Sequence, residues 1–183
     1  MIEVDGAEAA IAHAVTAVSA AAQGDGLLQI DAAQSADEVA RLWAARKALS
    51  PALKHVAPKK INEDVVVPVS KLPALVAKTR ELAAESGIAI VCFGHAGNGN
   101  LHVNLMFDPA DAAQSAQAPR VLSELFATTL ALGGTLSGEH GIGLDKRDFM
   151  PQAIAAPTLD LMRAVKAQFD PTGILNPGKL LPP

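Results

Sequence analysis

Tyrosine is absent, tryptophan occurs once and phenylalanine five times, so aromatic residues make up only 3% of the 183-residue chain. A core of this composition must be built from alanine and aliphatic side chains, and it is thin per residue even though a chain this long buries roughly 70% of its unfolded surface. Cysteine is nearly absent too. The single Cys92 excludes an internal disulfide and a thiolate metal cage, and points to the reducing cytosol. It lies in the apolar run IAIVCF and reads as a small buried hydrophobe. Positive charge is not in excess: 15 basic against 19 acidic side chains leave a net charge of -4, which gives no field to attract a polyanion, so nucleic acid is not an expected partner. Long apolar runs are missing as well. The alanine-rich stretch from Ala7 to Ala22 is interrupted by Glu8 and His13 and is too short for about 30 Å of hydrocarbon. The opening MIEVDGAEAA lacks the basic flank and apolar run of a signal peptide, so a cytoplasmic protein is expected.

Half of the residues are hydrophobic, which fits one domain or one compact piece of a larger fold. With glycine and proline as punctuation, helix-like and strand-like segments alternate. IEVD reads as a short strand, 7–23 as a helix, and 27–30 as a second strand. Ser35 and Glu38 form a capping box that opens a helix ending at Pro51. Residues 50–60 read as a loop, and DVVVPV as a strand that Pro68 confines to an edge or terminus. Leu72, Leu75, Val76, Thr79 and Leu82 recur at helical spacing, so 70–86 is an amphipathic helix closed by Gly87. A buried strand at 88–93 then meets the alternating run LHVNLMF across the glycine-rich GHAGNGN, as a hairpin. Residues 110–120 read as a polar connection and 121–132 as a helix; TLSGEHGIG is a second glycine-rich tip. A helix at about 158–169 leads into the proline-rich tail DPTGILNPGKLLPP, which excludes regular structure.

Three of the five histidines, His95, His102 and His140, fall inside the two glycine-rich tips. On opposite arms of one hairpin, His95 and His102 face a common point, and Glu139 supplies a third ligand. Two imidazoles, one carboxylate and an open position suit zinc, manganese or iron. The alternatives are histidines satisfied as polar or core residues, and for GHAGNGN alone a phosphate cradle of backbone N–H groups. The cradle lacks the Lys-Ser/Thr of a P-loop and runs into a strand rather than a helix. No GxSxG elbow, CxxC pair or HExxH helix is present, so hydrolase readings built on those devices have no support.

FGHAGNGNLHVN, GGTLSGEHGIGLDKR and VKAQFDPTGILNPGKLL, in that order, together with LWAARKAL and EDVVVPVSKLP, resemble the C-terminal motifs of FAD-linked 2-hydroxy-acid dehydrogenases. That family includes cytochrome-linked D-lactate dehydrogenase, the glycolate oxidase flavoprotein subunit and D-2-hydroxyglutarate dehydrogenase. The resemblance implies an α+β fold, an antiparallel sheet with helices packed on one face in a ferredoxin-like cap domain. It implies a substrate-binding (cap) domain over 1–168, incomplete at its start, and a tail over 169–183 that returns to an FAD-binding domain absent from this sequence. The expected protein is thus a fragment of an oxidoreductase, inactive alone, that would oxidise a small 2-hydroxy acid to a 2-oxo acid by hydride transfer to flavin.

By motif, the resemblance makes His95, His102 and Glu139 the metal ligands, for zinc or manganese with iron as a third option. His140 becomes the catalytic base beside the FAD. Arg46 resembles the substrate-carboxylate anchor, Ser50 and Lys60 its companions, and Asn104 a polar substrate contact; Asn176 resembles a contact near the flavin ring. Where many relatives carry Asp at position 98 this chain has Asn98, which removes a charge near the metal. Expected partners are an FAD-binding domain or flavoprotein subunit and a 2-hydroxy acid. Self-association through the face left apolar is a further expectation, as is peripheral contact of the complete enzyme with the inner membrane. A second reading is a non-catalytic assembly module that pairs with a separate flavoprotein subunit; a third is a small metal-binding protein without redox chemistry.

Overall fold

The computed structural model describes residues 1–183 and divides into two units, Met1–Ala52 and Leu53–Pro183. The first unit holds two helices, α1 (Glu8–Ala21) and α2 (Ala36–Ala52), neither with a fully buried residue. The capping box at the start of α2 is formed. Ser35 Oγ accepts from the Glu38 N–H at 3.3 Å, while the Glu38 carboxylate accepts from the Gln34 N–H at 2.6 Å, one residue earlier than in the standard box. Pro51 sits in the last turn of α2 rather than ending it. The expected strands at 2–5 and 27–30 are not strands: these tetrads find no partner for ladder hydrogen bonds.

The second unit opens on a single 3-10 turn, Leu53–His55, followed by β1 (Lys59–Val66). The expected loop at 50–60 is therefore mostly regular, and the strand starts five residues before DVVVPV. After β1 come α3 (Leu72–Ser86), β2 (Ala89–His95), β3 (Asn100–Phe107), α4 (Ala112–Ala131), the one-turn α5 (Met150–Ala153) and α6 (Ala156–Phe169). The segment read as a polar connection at 110–120 is the first half of α4. Asp111 caps it, its carboxylate accepting from the N–H groups of Ala113 at 2.9 Å and Gln114 at 3.2 Å, and the alanines that follow are the best helix formers.

The three strands form one antiparallel sheet in the order β1-β3-β2. Side chains alternate between faces along each strand, and directly opposite residues share a face, so the register divides the sheet into two chemistries. One face carries Ile61, Val65 and a single buried acid, Glu63, of β1, Leu101, Val103, Leu105 and Phe107 of β3, and Ile90 and Cys92 of β2. Helices α3 and α4 cover it with Leu75, Leu82, Val121, Leu125 and Phe126 in one continuous core. Each such aliphatic or aromatic side chain contributes roughly 1.5–3 kcal/mol on burial, and helices on one face of the sheet give the α+β architecture.

The opposite face carries Lys60, Asn62 and Asp64 of β1, Asn100, His102 and Asn104 of β3, and Phe93 and His95 of β2. Central β3 is buried along its whole length, whereas β2, expected to be buried, is a half-exposed edge strand. The hairpin tip is a 3-10 turn, Ala96–Asn98, followed by Gly99 at φ 80°. A Cβ at Gly99 would stand 1.9 Å from the Val67 carbonyl oxygen, while the Val67 N–H donates to the Gly99 oxygen at 3.1 Å. The tip is thus folded against the end of β1.

Candidate metal and catalytic site

His95 and His102 are diagonal neighbours on the polar face, since His95 is opposite Asn100 and His102 opposite Phe93. Their rings lie edge to face with centroids 5.7 Å apart. Glu139 arrives from the segment after α4, which is joined to the sheet where Val66 and Thr135 exchange backbone hydrogen bonds of 2.8 and 3.2 Å. One Glu139 oxygen stands 3.3 Å from His102 Nε2 and 4.0 Å from His95 Nε2. Ligand atoms from all three residues lie within 4.8 Å of one another. Two ligands of one tetrahedral zinc, at about 2.0–2.2 Å from the ion, are roughly 3.4 Å apart, so the His102–Glu139 pair already has that spacing and His95 needs a small rotation.

The donor set fits a divalent ion in protonation state as well. His102 is buried, which pushes its pKa below the ordinary imidazole value against the opposing pull of Glu139; the neutral ring this favours is the ligand form. Its Nδ1 has no hydrogen-bond partner. His95, Glu139 and His140 are exposed, so the cluster opens outward from a buried base. The His140 ring stacks on His102 with centroids 5.3 Å apart, and its Nδ1 lies 3.8 Å from Asp64 Oδ1.

The remaining residues singled out by sequence fall into three places. Asn104 is fully buried two residues beyond His102: its oxygen accepts from Asn62 Nδ2 at 3.0 Å and its Nδ2 donates to the Val91 oxygen at 3.0 Å. Lys60 follows on the same face of β1, opposite Met106. Arg46 and Ser50 belong to the first unit, exposed and one turn apart on a single face of α2. Asn176 is in the tail, at φ 46°, and lines an apolar groove of about 670 Å³ with Val165, Phe169 and Leu180.

Sequence reasoning missed the buried ionic cluster beneath the site. Asp64 lies opposite His102 in the sheet and is fully buried. Burial by itself would raise its pKa; N–H groups of Glu139 and His140 and the Lys146 ammonium overcome that and hold the carboxyl far below the usual carboxylate range. Lys146 Nζ is 2.8 Å from Asp64 Oδ1 and 3.3 Å from Glu63 Oε2. The available signal was an acidic pair entering an apolar strand, EDVVV, where ordinary exposed carboxylates are out of place.

The chain matches the family described as FAD linked oxidases, C-terminal domain, over residues 1–180. It is 34% identical over 180 residues to the glycolate oxidase subunit GlcD of Bacillus subtilis, covering 98% of this chain and 38% of that protein. Over 151 residues it is 36% identical to D-2-hydroxyglutarate dehydrogenase of Stutzerimonas stutzeri, covering 80% of this chain and 32% of the relative. With the mitochondrial cytochrome D-lactate dehydrogenase of Arabidopsis thaliana it shares 35% identity over 144 residues, 78% of this chain and 25% of the relative. The chain therefore spans between about a quarter and two fifths of the length of these relatives. No helix is long and apolar enough to cross a membrane. Matched over nearly its whole length, the chain belongs to the FAD-linked oxidase C-terminal domain family.

Proposed function

We propose that this chain is the substrate domain of an FAD- and divalent-metal-dependent 2-hydroxy-acid dehydrogenase of the D-lactate or glycolate type, silent without its flavin domain. The observation that carries the reading is the convergence of His95, His102 and Glu139, with His140 stacked beside them. His95, His102 and Glu139 would hold zinc, manganese or iron, and a bound ion supplies Lewis-acid polarisation of the hydroxyl oxygen. The FAD, held mainly by a separate domain or flavoprotein subunit, supplies the hydride acceptor.

The roles of this chain's own residues are part of the same proposal. His140 turns Nδ1 toward Asp64, so Nε2 is the atom that takes the hydroxyl proton as the substrate carbon gives up its hydride and the 2-oxo acid forms. Arg46 anchors the substrate carboxylate by a two-pronged fork, with Ser50 one turn further along α2. Lys60 would supply a polar contact on the sheet face, Asn104, fully buried and bonded to Asn62 and Val91, would act from beneath it, and Asn176 and His140 would each contact the flavin ring. The domain assignment, 1–168 as cap and 169–183 as a tail reaching the flavin domain, is part of the same proposal, as is a cytoplasmic location with peripheral membrane contact.

Titration of the chelator-stripped chain with zinc and manganese tests the metal site. One saturable site per chain, lost in His102→Ala and Glu139→Ala, is expected; absence of binding refutes it. In the complete flavoenzyme those two variants should retain FAD and lose turnover, and Arg46→Lys should lower kcat/KM at least tenfold. Full activity in any of them rejects that residue's role.

One feature supports pairing, and with it a second reading, a non-catalytic assembly module that pairs with a flavoprotein subunit, as much as the first. Leu161, Val165 and Phe169 form an exposed row along α6, at 64, 51 and 81% exposure, wider than a free helix face usually leaves to water. A flavin domain or subunit would cover it under either reading, and a second copy would cover it on self-association. Retained pairing without metal binding supports the module; turnover in the reunited enzyme supports the dehydrogenase.

A further inference from the structure

The segment that carries Glu139 and His140 has no helix or strand to hold it, yet a single side chain from the sheet collects its backbone. Asp64 Oδ2 accepts the N–H groups of Gly138 at 2.9 Å and His140 at 3.0 Å, and that of Glu139 between them in a shorter contact. The second oxygen, Oδ1, accepts from Ser137 Oγ at 3.2 Å and Lys146 Nζ at 2.8 Å. Ser137 Oγ in turn accepts from the Gly141 N–H at 2.8 Å. Three consecutive N–H groups turned toward one point make an anion-binding concavity, and here an internal carboxylate fills it.

The fit is close. A Cβ at Gly138 would stand 2.2 Å from Asn100 Nδ2, 2.8 Å from Val66 Cγ2 and 3.2 Å from Asp64 Oδ2, so only glycine lets the segment settle onto the sheet. Lys146 fixes the carboxylate from the other side, donating to the Asp64 carbonyl oxygen at 3.0 Å and the Leu136 carbonyl oxygen at 2.7 Å. Buried charges are a poor way to gain stability, since packed apolar groups of equal volume often do as well or better. Their place here, beneath two exposed chemical groups and opposite His102 in the register, has another consequence.

We infer that Asp64 is the positioning residue of the site: by gathering the backbone of residues 138–140 beside His102, it fixes where the Glu139 carboxylate and the His140 ring stand. Lys146 holds Asp64 in the orientation that does this. The inference rests on the metal reading above and adds to it the group that makes the third ligand available. Supporting groups of this kind typically change metal affinity by about 10–100-fold. Asn in place of Asp64 keeps the shape but cannot accept on both sides, because its NH2 must face either the three amides or the Lys146 ammonium.

The experiment is calorimetric titration of the 183-residue chain with zinc and, separately, manganese, for wild type, Asp64→Asn, Glu139→Gln and the double variant. Asp64→Asn is expected to weaken binding at least tenfold. In the double variant affinity should match Glu139→Gln alone within about twofold, because a positioning effect routed through Glu139 vanishes once that carboxylate is gone. Fold losses that multiply in the double variant overturn the inference, since they indicate general loosening of the domain. Equal affinity of wild type and Asp64→Asn also overturns it while leaving the metal site standing; no binding by wild type removes the metal reading and this inference together. If Asp64→Asn does not fold, Gly138→Ala displaces the same segment with the ionic cluster intact, and it should also cost about tenfold. Unchanged affinity in Gly138→Ala then overturns the assignment.

Discussion

Replacing Lys146 with methionine separates the charge of the buried cluster from its volume. Lys146 is 4% exposed and is the cation facing Asp64 and Glu63, themselves 0% and 3% exposed. Methionine fills nearly the same space, including the position above the Phe126 ring, whose centroid is 5.9 Å from Nζ, but leaves two carboxylates without a counter-charge. Removing one member of a buried ion pair costs about 3–5 kcal/mol. With a urea slope of about 2 kcal/mol/M, the unfolding midpoint of Lys146→Met should fall by about 1.5–2.5 M at pH 7. The pH dependence has a definite sign. Burial already raises the Glu63 pKa above its ordinary 4.5, and Lys146 is the main opposing influence. Without it the Glu63 pKa rises further, so above pH 4.5 the variant's native state holds more protons than wild type does relative to the unfolded chain, and the variant gains more stability than wild type as pH falls toward 4.5. In wild type the depressed Asp64 carboxyl contributes stability that is fully present above its ordinary 3.8 and disappears only below it. The gap between the two proteins should therefore narrow from pH 7 to pH 5. Urea denaturation followed by circular dichroism at the two pH values measures both effects, and a loss below about 1 kcal/mol at pH 7, or a gap that widens toward pH 5, refutes the electrostatic account.

Two further expectations concern groups away from the site. Burial raises the Cys92 thiol above its ordinary range against a hydrogen bond to Thr79 Oγ1 at 3.5 Å, so iodoacetamide at pH 8 should label the native chain at least tenfold more slowly than the urea-unfolded chain; equal rates would contradict its placement on the core face. Lys166 chiefly holds the Asp170 carboxyl below its ordinary 3.8, and Asp170 accepts the N–H groups of Ile174 at 2.9 Å and Leu175 at 3.0 Å. That tie is present above about pH 4 and lost below it, and Asp170→Asn should speed tryptic cleavage after Lys179 several-fold at neutral pH, whereas an unchanged rate rejects Asp170 as the anchor of the tail.

What could be read from the sequence follows the range of the interactions concerned. The alternation of LHVNLMF predicted one apolar and one polar face for β3, and the helical spacing from Leu72 to Leu82 predicted α3, because both patterns are set by local geometry. The clustering of His95, His102 and Glu139 was legible since two of them share a hairpin and the third lies in the other glycine-rich tip. Asp64 was not, because its partners are 73 to 82 positions away and only the pairing of β1 with β3 brings it opposite His102. The first half of α4 was missed for a different reason: Asp111 is an ordinary helix cap, but the polar alanine-rich stretch behind it lacks the apolar periodicity that announces a packed face. IEVD failed in the opposite way, since local β preference cannot make a strand where no neighbour offers a ladder.

β3 serves two masters, with odd-numbered side chains in the core and even-numbered ones on the face that carries His102 and Asn104. Even positions other than His102 can therefore change one at a time while the hydrophobic layer stays as it was. Insertion or deletion of a single residue in the same strand has no such freedom: the frame shift would carry His102 and Asn104 into the oily layer and lift Leu101, Val103 and Leu105 to the polar side. Relatives should accordingly differ by substitution along this strand and hardly ever in its length.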